Sequence, residues 1–368
     1  LKKFIKKKNY KYMSNTEYKQ ILNELIDAVV KQNGSDLHFS EGRNPTIRIS
    51  GELVPMLQKA ILTKEDTQGI LSALVDDAKL DIFKEKQELD FSYSHNDGNR
   101  FRGNAFIQQG HVGVVLRLIP QQIKSLPDLN LPPILETFAR RNQGFFLIVG
   151  PVGQGKTTTL ASMIELINQE RAAHIVTIEN PTEYVYVQKK SIIDQREVGI
   201  DTANFETALV SSLRQDVDVI LVGEMRNKET ISAAVTAAET GHLVFSTLHT
   251  NNASQTIDRI IDSFPAEQQD QIRVQLSSSL MGIFSQRLIP RIAGGMVPAY
   301  ELLINTNAVQ NLIRESRTHE IDTVIETGME HGMIDMNRCL ADLVRRGEIT
   351  VENAYLHSFR PNILEKLL

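Results

Sequence analysis

The chain has 368 residues, 41% hydrophobic and 23% charged, an ordinary soluble composition and a length that favours two domains over one. Lys+Arg 40 against Asp+Glu 45 leaves a net charge of −5, which argues against a general affinity for nucleic acid. The single cysteine, Cys339, excludes an internal disulfide and a four-cysteine zinc site and fits a reducing, cytoplasmic setting, and no apolar run approaches the roughly 18 residues of a membrane span.

Residues 1–13, LKKFIKKKNYKYM, are lysine-rich with no apolar stretch behind them, so they do not read as a secretory signal. They are expected to be a disordered leader, with attraction to an anionic membrane surface as the other reading. From Thr16 to Lys31 the apolar residues Leu22, Leu25, Ile26 and Val29 share one helical face. GSDLHFS, PTIRIS and ELVPM follow as short strands broken by Gly and Pro, and residues 64–85 read as helix again. FSYS, RFRGNAFIQ and HVGVVLRLI read as antiparallel strands, with QQGH turning between the last two. Residues 14–119 thus form a predicted small α+β domain. The Pro-rich stretch 120–133 is expected to link it to a second domain, 134–368. There FFLIV, HIVTIE, DVILVG and LVFSTL are near-continuous apolar runs separated by helical stretches, the pattern of parallel strands buried on both faces. From Ala253 onward the chain reads as mostly helical, with one hairpin-like interruption at GGMVPAYELLI.

The chemistry starts at GPVGQGKTT: Gly150, Pro151, Val152, Gly153, Gln154, Gly155, Lys156, Thr157 and Thr158. It follows the FFLIV strand and opens a helix, the context a P-loop requires. The glycines let backbone N–H groups turn inward around phosphate oxygens, and the helix N-terminus adds its positive end. Lys156 is expected to reach the β and γ phosphates of ATP, and Thr157 to ligate Mg²⁺. Ligands of open α/β sheets sit at the carboxyl ends of the strands. Those ends carry Glu224, Glu179 then Glu183, and His249. A carboxylate there can orient and deprotonate a water, and Glu224 is the residue chosen for that role.

His249 is a candidate γ-phosphate sensor or hydrogen-bond partner of the catalytic carboxylate. His242 stands at the other end of LVFSTL, roughly 20 Å away and on the opposite face, so one metal cannot bridge the pair. It reads as a structural or subunit-contact histidine. Arg100 and Arg102 share one face of their strand by period two, and Arg117 lies on the partner strand. Such arginines form a solvated face or, in a P-loop ATPase without an obvious arginine finger in its core, stabilise γ-phosphate charge from another domain.

Together GPVGQGKTTT, IENPTEY, DVILVGEMR and AAETGHLVFSTLHTNNA resemble the Walker A, Asp box, Walker B and His box of secretion and type IV pilus ATPases. Over nearly all its length the chain is similar to the PilT-type retraction ATPases, including GSDLH, RFRGNAF, QREVG, TIDRIIDSFPAEQQ and AVQNLIRE. The resemblance implies a PAS-like N-terminal domain, a RecA-like ATPase domain with a helical C-terminal part, and a homohexameric ring. It implies ATP hydrolysis with Mg²⁺, coupled to pilus retraction and twitching motility. The motor would be cytoplasmic, peripheral at the inner face of the cytoplasmic membrane, and would act on an inner-membrane pilus platform protein. By resemblance Lys156, Thr157, Glu183, Glu224, His249, Arg100, Arg102 and Arg117 take the family's roles, and His242 joins them through the His box. Two positions depart: Asn180 replaces the usual Asp of the Asp box, and Gln310 stands where the AIRNLIRE pattern has Arg.

Rival readings differ in partner. An extension or secretion ATPase of the same superfamily typically carries a tetracysteine zinc insertion, which one cysteine cannot make. An accessory PilU-like retraction ATPase is closer, though VGEMR, TLHT and AVQNLIRE lean toward PilT. A hexameric nucleic-acid translocase is disfavoured by the net charge and by the lack of an aromatic–basic strip, and a non-enzymatic nucleotide-gated module by the presence of Glu224.

Overall fold

The computed structural model describes residues 14–368 except Asn33, Ser50, Gly51, Asp97, Pro120 and Gln121. The expected leader, 1–13, lies outside the described residues. The chain forms two compact units, 1–122 and 123–368.

In the first unit, Ser14 and Glu17 form a reciprocal capping box that starts α1 (Asn15–Lys31). Then come β1 (Asp36–Phe39), β2 (Thr46–Ile49), β3 (Glu52–Pro55), α2 (Lys64–Leu74), α3 (Asp77–Lys86), β4 (Glu88–Ser94), β5 (Arg100–Gln108) and β6 (His111–Ile119). The strands make one antiparallel sheet in the order β3-β2-β1-β6-β5-β4. Alternation decides its faces. Leu37, Phe39, Ile47, Phe101, Ala105, Val114 and Leu116 are buried with Leu22, Leu25 and Ile26 of α1. Arg102 on β5, Arg117 on β6, and Asp36 on β1 are direct cross-strand neighbours in one row of the same sheet.

The second unit contains α4 (Ile134–Ala139), β7 (Gly144–Val149), α5 (Lys156–Glu170), β8 (His174–Glu179), β9 (Ile192–Glu197), α6 (Phe205–Ser212), β10 (Val219–Val222), α7 (Lys228–Glu239), β11 (Leu243–Leu248), α8 (Ala253–Asp262) and α9 (Ala266–Ser279). It continues with β12 (Leu280–Pro290), β13 (Met296–Ile304), α10 (Asn307–Arg314), α11 (Ile321–Thr327), α12 (Met336–Arg345), α13 (Val351–His357) and α14 (Pro361–Leu367). The sheet order is β13-β12-β7-β11-β10-β8-β9, parallel except for the edge strand β13. In β7, Phe145, Leu147 and Val149 enter a core with α6 to α11, while Phe146 and Ile148 enter another with α4 and α5. Both faces are covered, which is why these strands are apolar throughout.

Three elements differ from the sequence expectations. Within the stretch read as mostly helical lies β12, eleven residues paired in parallel with β7 and antiparallel with β13. It is buried almost throughout, and a run buried on both faces has no period that separates strand from helix. β9 (IIDQRE) was not expected either, because an edge strand tolerates polar residues that mask a strand pattern. Finally, the chain belongs with the second unit from Ile123, and Leu126 and Leu131 are buried there with Leu135 and Phe138.

Candidate nucleotide site

Between β7 and α5 the loop turns on Gly150, Gly153 and Gly155, with φ of +146°, +78° and +77°. At Gly150 a Cβ would stand 2.5 Å from the Gln286 carbonyl oxygen, so only glycine fits. No side chain caps α5, leaving its first N–H groups to the loop interior. Lys156 is 7% exposed and donates from Nζ to the carbonyls of Gly150 (2.7 Å) and Pro151 (2.8 Å). Burial, then the Arg287 charge, push its pKa down to about 8, with Glu183 and Glu224 pulling the other way. Thr157 is half-buried in the first turn of α5, and Thr158 shares a 2.9 Å hydrogen bond with the Tyr184 hydroxyl.

His249 follows β11 and Glu224 follows β10 at the same edge. His249 Nδ1 lies 3.3 Å from Lys156 Nζ, and Nε2 lies 3.7 Å from Glu224 Oε2. Because Nδ1 faces an ammonium donor it must accept, which puts the ring proton on Nε2, toward Glu224. Burial first, and then Lys156, lower the His249 pKa, so the ring is neutral. Glu224 Oε1 pairs with Arg226 at 2.8 Å, and Thr247 Oγ1 donates to the Gly223 carbonyl at 2.7 Å, tying the two strand ends together. Glu179 is 5% exposed and burial raises its pKa to about 7, against the Thr177 hydroxyl that donates to it. Glu183 is half-buried on the loop beyond it, its N–H directed at Glu179 Oε2.

The other sequence candidates lie apart from this edge or in the other unit. His242 stands at the opposite end of β11, with Nδ1 against the Ala237 carbonyl at 3.0 Å, while its own carbonyl receives the N–H of Gly144, where β7 begins. Arg100, Arg102 and Arg117 belong to the first unit. There Arg117 Nε donates to the buried Asp36 at 2.8 Å, and both residues help line a cavity of about 180 Å³ with Arg102.

A family model described as type II/IV secretion system protein matches residues 13–311. The chain is 44% identical to the type IV pilus retraction ATPase PilT of Pseudomonas aeruginosa, over 90% of this chain and 96% of that one. The chain belongs to this secretion-system ATPase family, with the PilT-type members. A twitching motility protein of Neisseria gonorrhoeae is likewise 44% identical, over 84% of this chain and 83% of that one. A crystal structure of the pilus retraction motor PilT with bound ADP superposes with a TM-score of 0.88 at 45% identity, covering 94% of this chain and 99% of that one.

In this PilT-type ATPase the sequence motifs did not reveal the strand that braces the loop. Gln286 of β12, 2% exposed, donates to the Gln154 carbonyl at 2.7 Å and accepts from Thr159 Oγ1 at 2.8 Å. Gln154 Oε1 in turn accepts from the Leu288 N–H at 2.7 Å. Beside them a cavity of about 220 Å³ is lined by Lys124, Asp128, Gly155, Thr158, Gln286 and Leu288 among others. One wall therefore comes from the stretch read as a connection. The signal that could have found β12 was IFSQRLI, too rich in branched apolar residues for a surface helix. Among the described residues no group of three or more His, Cys, Asp and Glu is placed to hold a metal ion, and no helix is long and apolar enough to cross a membrane.

Proposed function

We propose that the chain is the motor of type IV pilus retraction, a homohexamer that hydrolyses ATP with Mg²⁺ and acts on a pilus platform protein at the inner face of the cytoplasmic membrane. The observation that carries the hydrolytic part is the juxtaposition of Lys156, His249 and Glu224 at the carboxyl edge of the sheet. In this reading Lys156 exchanges its two carbonyl partners for phosphate oxygens. Glu224 accepts the proton of the attacking water, a role worth roughly 10²–10⁴-fold in rate. The neutral His249 orients that carboxylate through Nε2–H, and Glu183 is the polar partner from the neighbouring strand end. The cavity walled by Lys124 and Asp128 receives the nucleoside.

The donors around the loop are Thr157, Glu183 and Glu224, oxygen ligands without a thiolate, which suits Mg²⁺ rather than zinc. Thr157 would hold the ion, which supplies charge neutralisation between the phosphates. The first unit corresponds to a PAS-like domain over 14–119 and the second to a RecA-like ATPase domain. Arg100, Arg102 and Arg117 are assigned to γ-phosphate charge. The pilus assignment rests on the relatives named for retraction and twitching. Lys156→Ala is expected to abolish nucleotide binding and hydrolysis, and EDTA to stop turnover until Mg²⁺ is returned. A piliated cell lacking the chain is expected to keep its pili and lose retraction. A bald cell would assign the motor to extension instead.

A further inference from the structure

Side chains alternate along β12 between two loops of the site. Gln286 reaches the P-loop, while Ser285 and Arg287, on either side of it, reach the segment 249–252 that joins β11 to α8. Both meet at Asn251. Ser285 Oγ donates to the Asn251 carbonyl at 2.6 Å, and Arg287 Nη2 donates to Asn251 Oδ1 at 2.9 Å and to the same carbonyl at 3.3 Å. Ser285 and Arg287 are buried, so water competes little for these bonds. The next two residues are held as well. Asn252 caps α8, its side chain accepting from the Gln255 N–H at 2.9 Å. Ala253 donates its N–H at 2.9 Å to Glu301, the cross-strand partner of Ser285 on β13.

His249 stands two residues before this clasp. Its side chain is 48% exposed, so packing alone does not hold the imidazole. Yet Nδ1 lies 3.3 Å from Lys156 Nζ and Nε2 lies 3.7 Å from Glu224 Oε2. A half-exposed ring keeps its aim at groups on two other elements through the backbone that carries it. We propose that Asn251 is a positioning residue for ATP hydrolysis: clasped by Ser285 and Arg287, it fixes the backbone that aims His249 at Glu224. The proposal rests on the reading of His249 as the group that orients the Glu224 carboxylate. One buried strand then sets both halves of the site, the phosphate loop through Gln286 and the water-activating side through Ser285 and Arg287. Loosening Asn251 leaves the first half in place, so turnover falls while nucleotide affinity stays.

The test is steady-state ATP hydrolysis by the full chain with Mg²⁺, for Asn251→Ala, His249→Ala and the double variant. A misplacement of about 1 Å can cost about 10²-fold. Asn251→Ala, which removes one acceptor of the clasp and leaves the backbone carbonyl, is expected to lower kcat about tenfold, with KM for ATP changed less than about twofold. Asn251→Asp, which keeps an oxygen opposite Arg287, is expected to restore most of the rate. In the His249→Ala background Asn251→Ala should cost little more, because the ring it aims is gone. Ser285→Ala is expected to lose about threefold, with the same dependence on His249, and serves if Asn251→Ala does not fold. Losses that multiply in the double variant, or a raised KM at unchanged kcat, would reduce Asn251 to a packing residue and overturn the proposal. A wild-type rate in His249→Ala would overturn the reading of that histidine, and the proposal with it.

Discussion

Replacing Gln286 by Leu tests whether β12 holds the P-loop in shape. The substitution keeps volume and burial but removes both polar ends. The Gln154 carbonyl loses its 2.7 Å donor, while Thr159 keeps a 3.2 Å bond to the Gly155 carbonyl after losing its 2.8 Å acceptor. One orphaned buried acceptor costs about 1–3 kcal/mol and one lost hydrogen bond about 1 kcal/mol. The sum, about 2–4 kcal/mol, lowers Tm by roughly 4–16 °C in a domain of this size. Gln286→Glu places an oxygen against the Gln154 carbonyl in place of a donor, and is expected to be worse. Thermal melts with and without ATP and Mg²⁺ report both consequences: a lower Tm, and a smaller ATP-induced rise because the loop amides are no longer held in register. A Gln286→Leu protein with wild-type Tm and a wild-type ATP response would refute the bracing role.

Glu224→Gln is expected to bind ATP and lose about 10²-fold or more in turnover; normal hydrolysis would move the base to Glu183. Arg102→Ala or Arg117→Ala is expected to leave assembly and ATP binding largely intact and to cut steady-state hydrolysis by about 10²-fold, a discounted arginine-finger effect. A fragment starting at Ile123 should bind nucleotide and turn it over poorly. Glu301 is buried and accepts a hydrogen bond from the Ala253 N–H at 2.9 Å, and burial raises its pKa from 4.5 to about 7. Its folded-state pKa is raised, so the stability it favours is present below pH 4.5 and lost as pH rises through about 7, at a cost of up to about 3 kcal/mol. Glu301→Gln should therefore raise Tm at pH 8 and change it little at pH 4.5, as read by thermal melts at the two pH values.

What could be read from residues alone were the features whose physics is local. Glycine spacing, an apolar strand before it and a helix after it make the P-loop visible, because backbone freedom and phosphate binding impose that order. Period two on RFRGNAF put Arg100 and Arg102 on one face, and the pairing of Arg102 with Arg117 follows from the short turn between β5 and β6. The brace was hidden for the opposite reason. Gln286 and Arg287 meet their loops through a strand pairing between segments far apart in the chain, and nothing in LMGIFSQRLIP states which strand it will join. Glu179 was visible as a strand end, but its setting depends on the neighbouring β9, whose Glu197 is its cross-strand partner. The edge character of β9 kept it from being recognised.

The pairing of β7 with β12 also bears on how the protein is made. Strand β7 is flanked by β11 on one side and β12 on the other, and Phe145 meets Leu280, about 135 residues later in the chain. Closing so long a loop is entropically slow. A nascent chain that has emerged only as far as α9 carries the whole GPVGQGKT signature, yet the sheet beneath it is open along one edge and the loop lacks its brace. Nucleotide then has nothing rigid to bind until the ribosome has delivered the hairpin. Ligand stabilisation during synthesis consequently arrives late, and the exposed edge of β7 is the surface a chaperone would have to cover in the meantime.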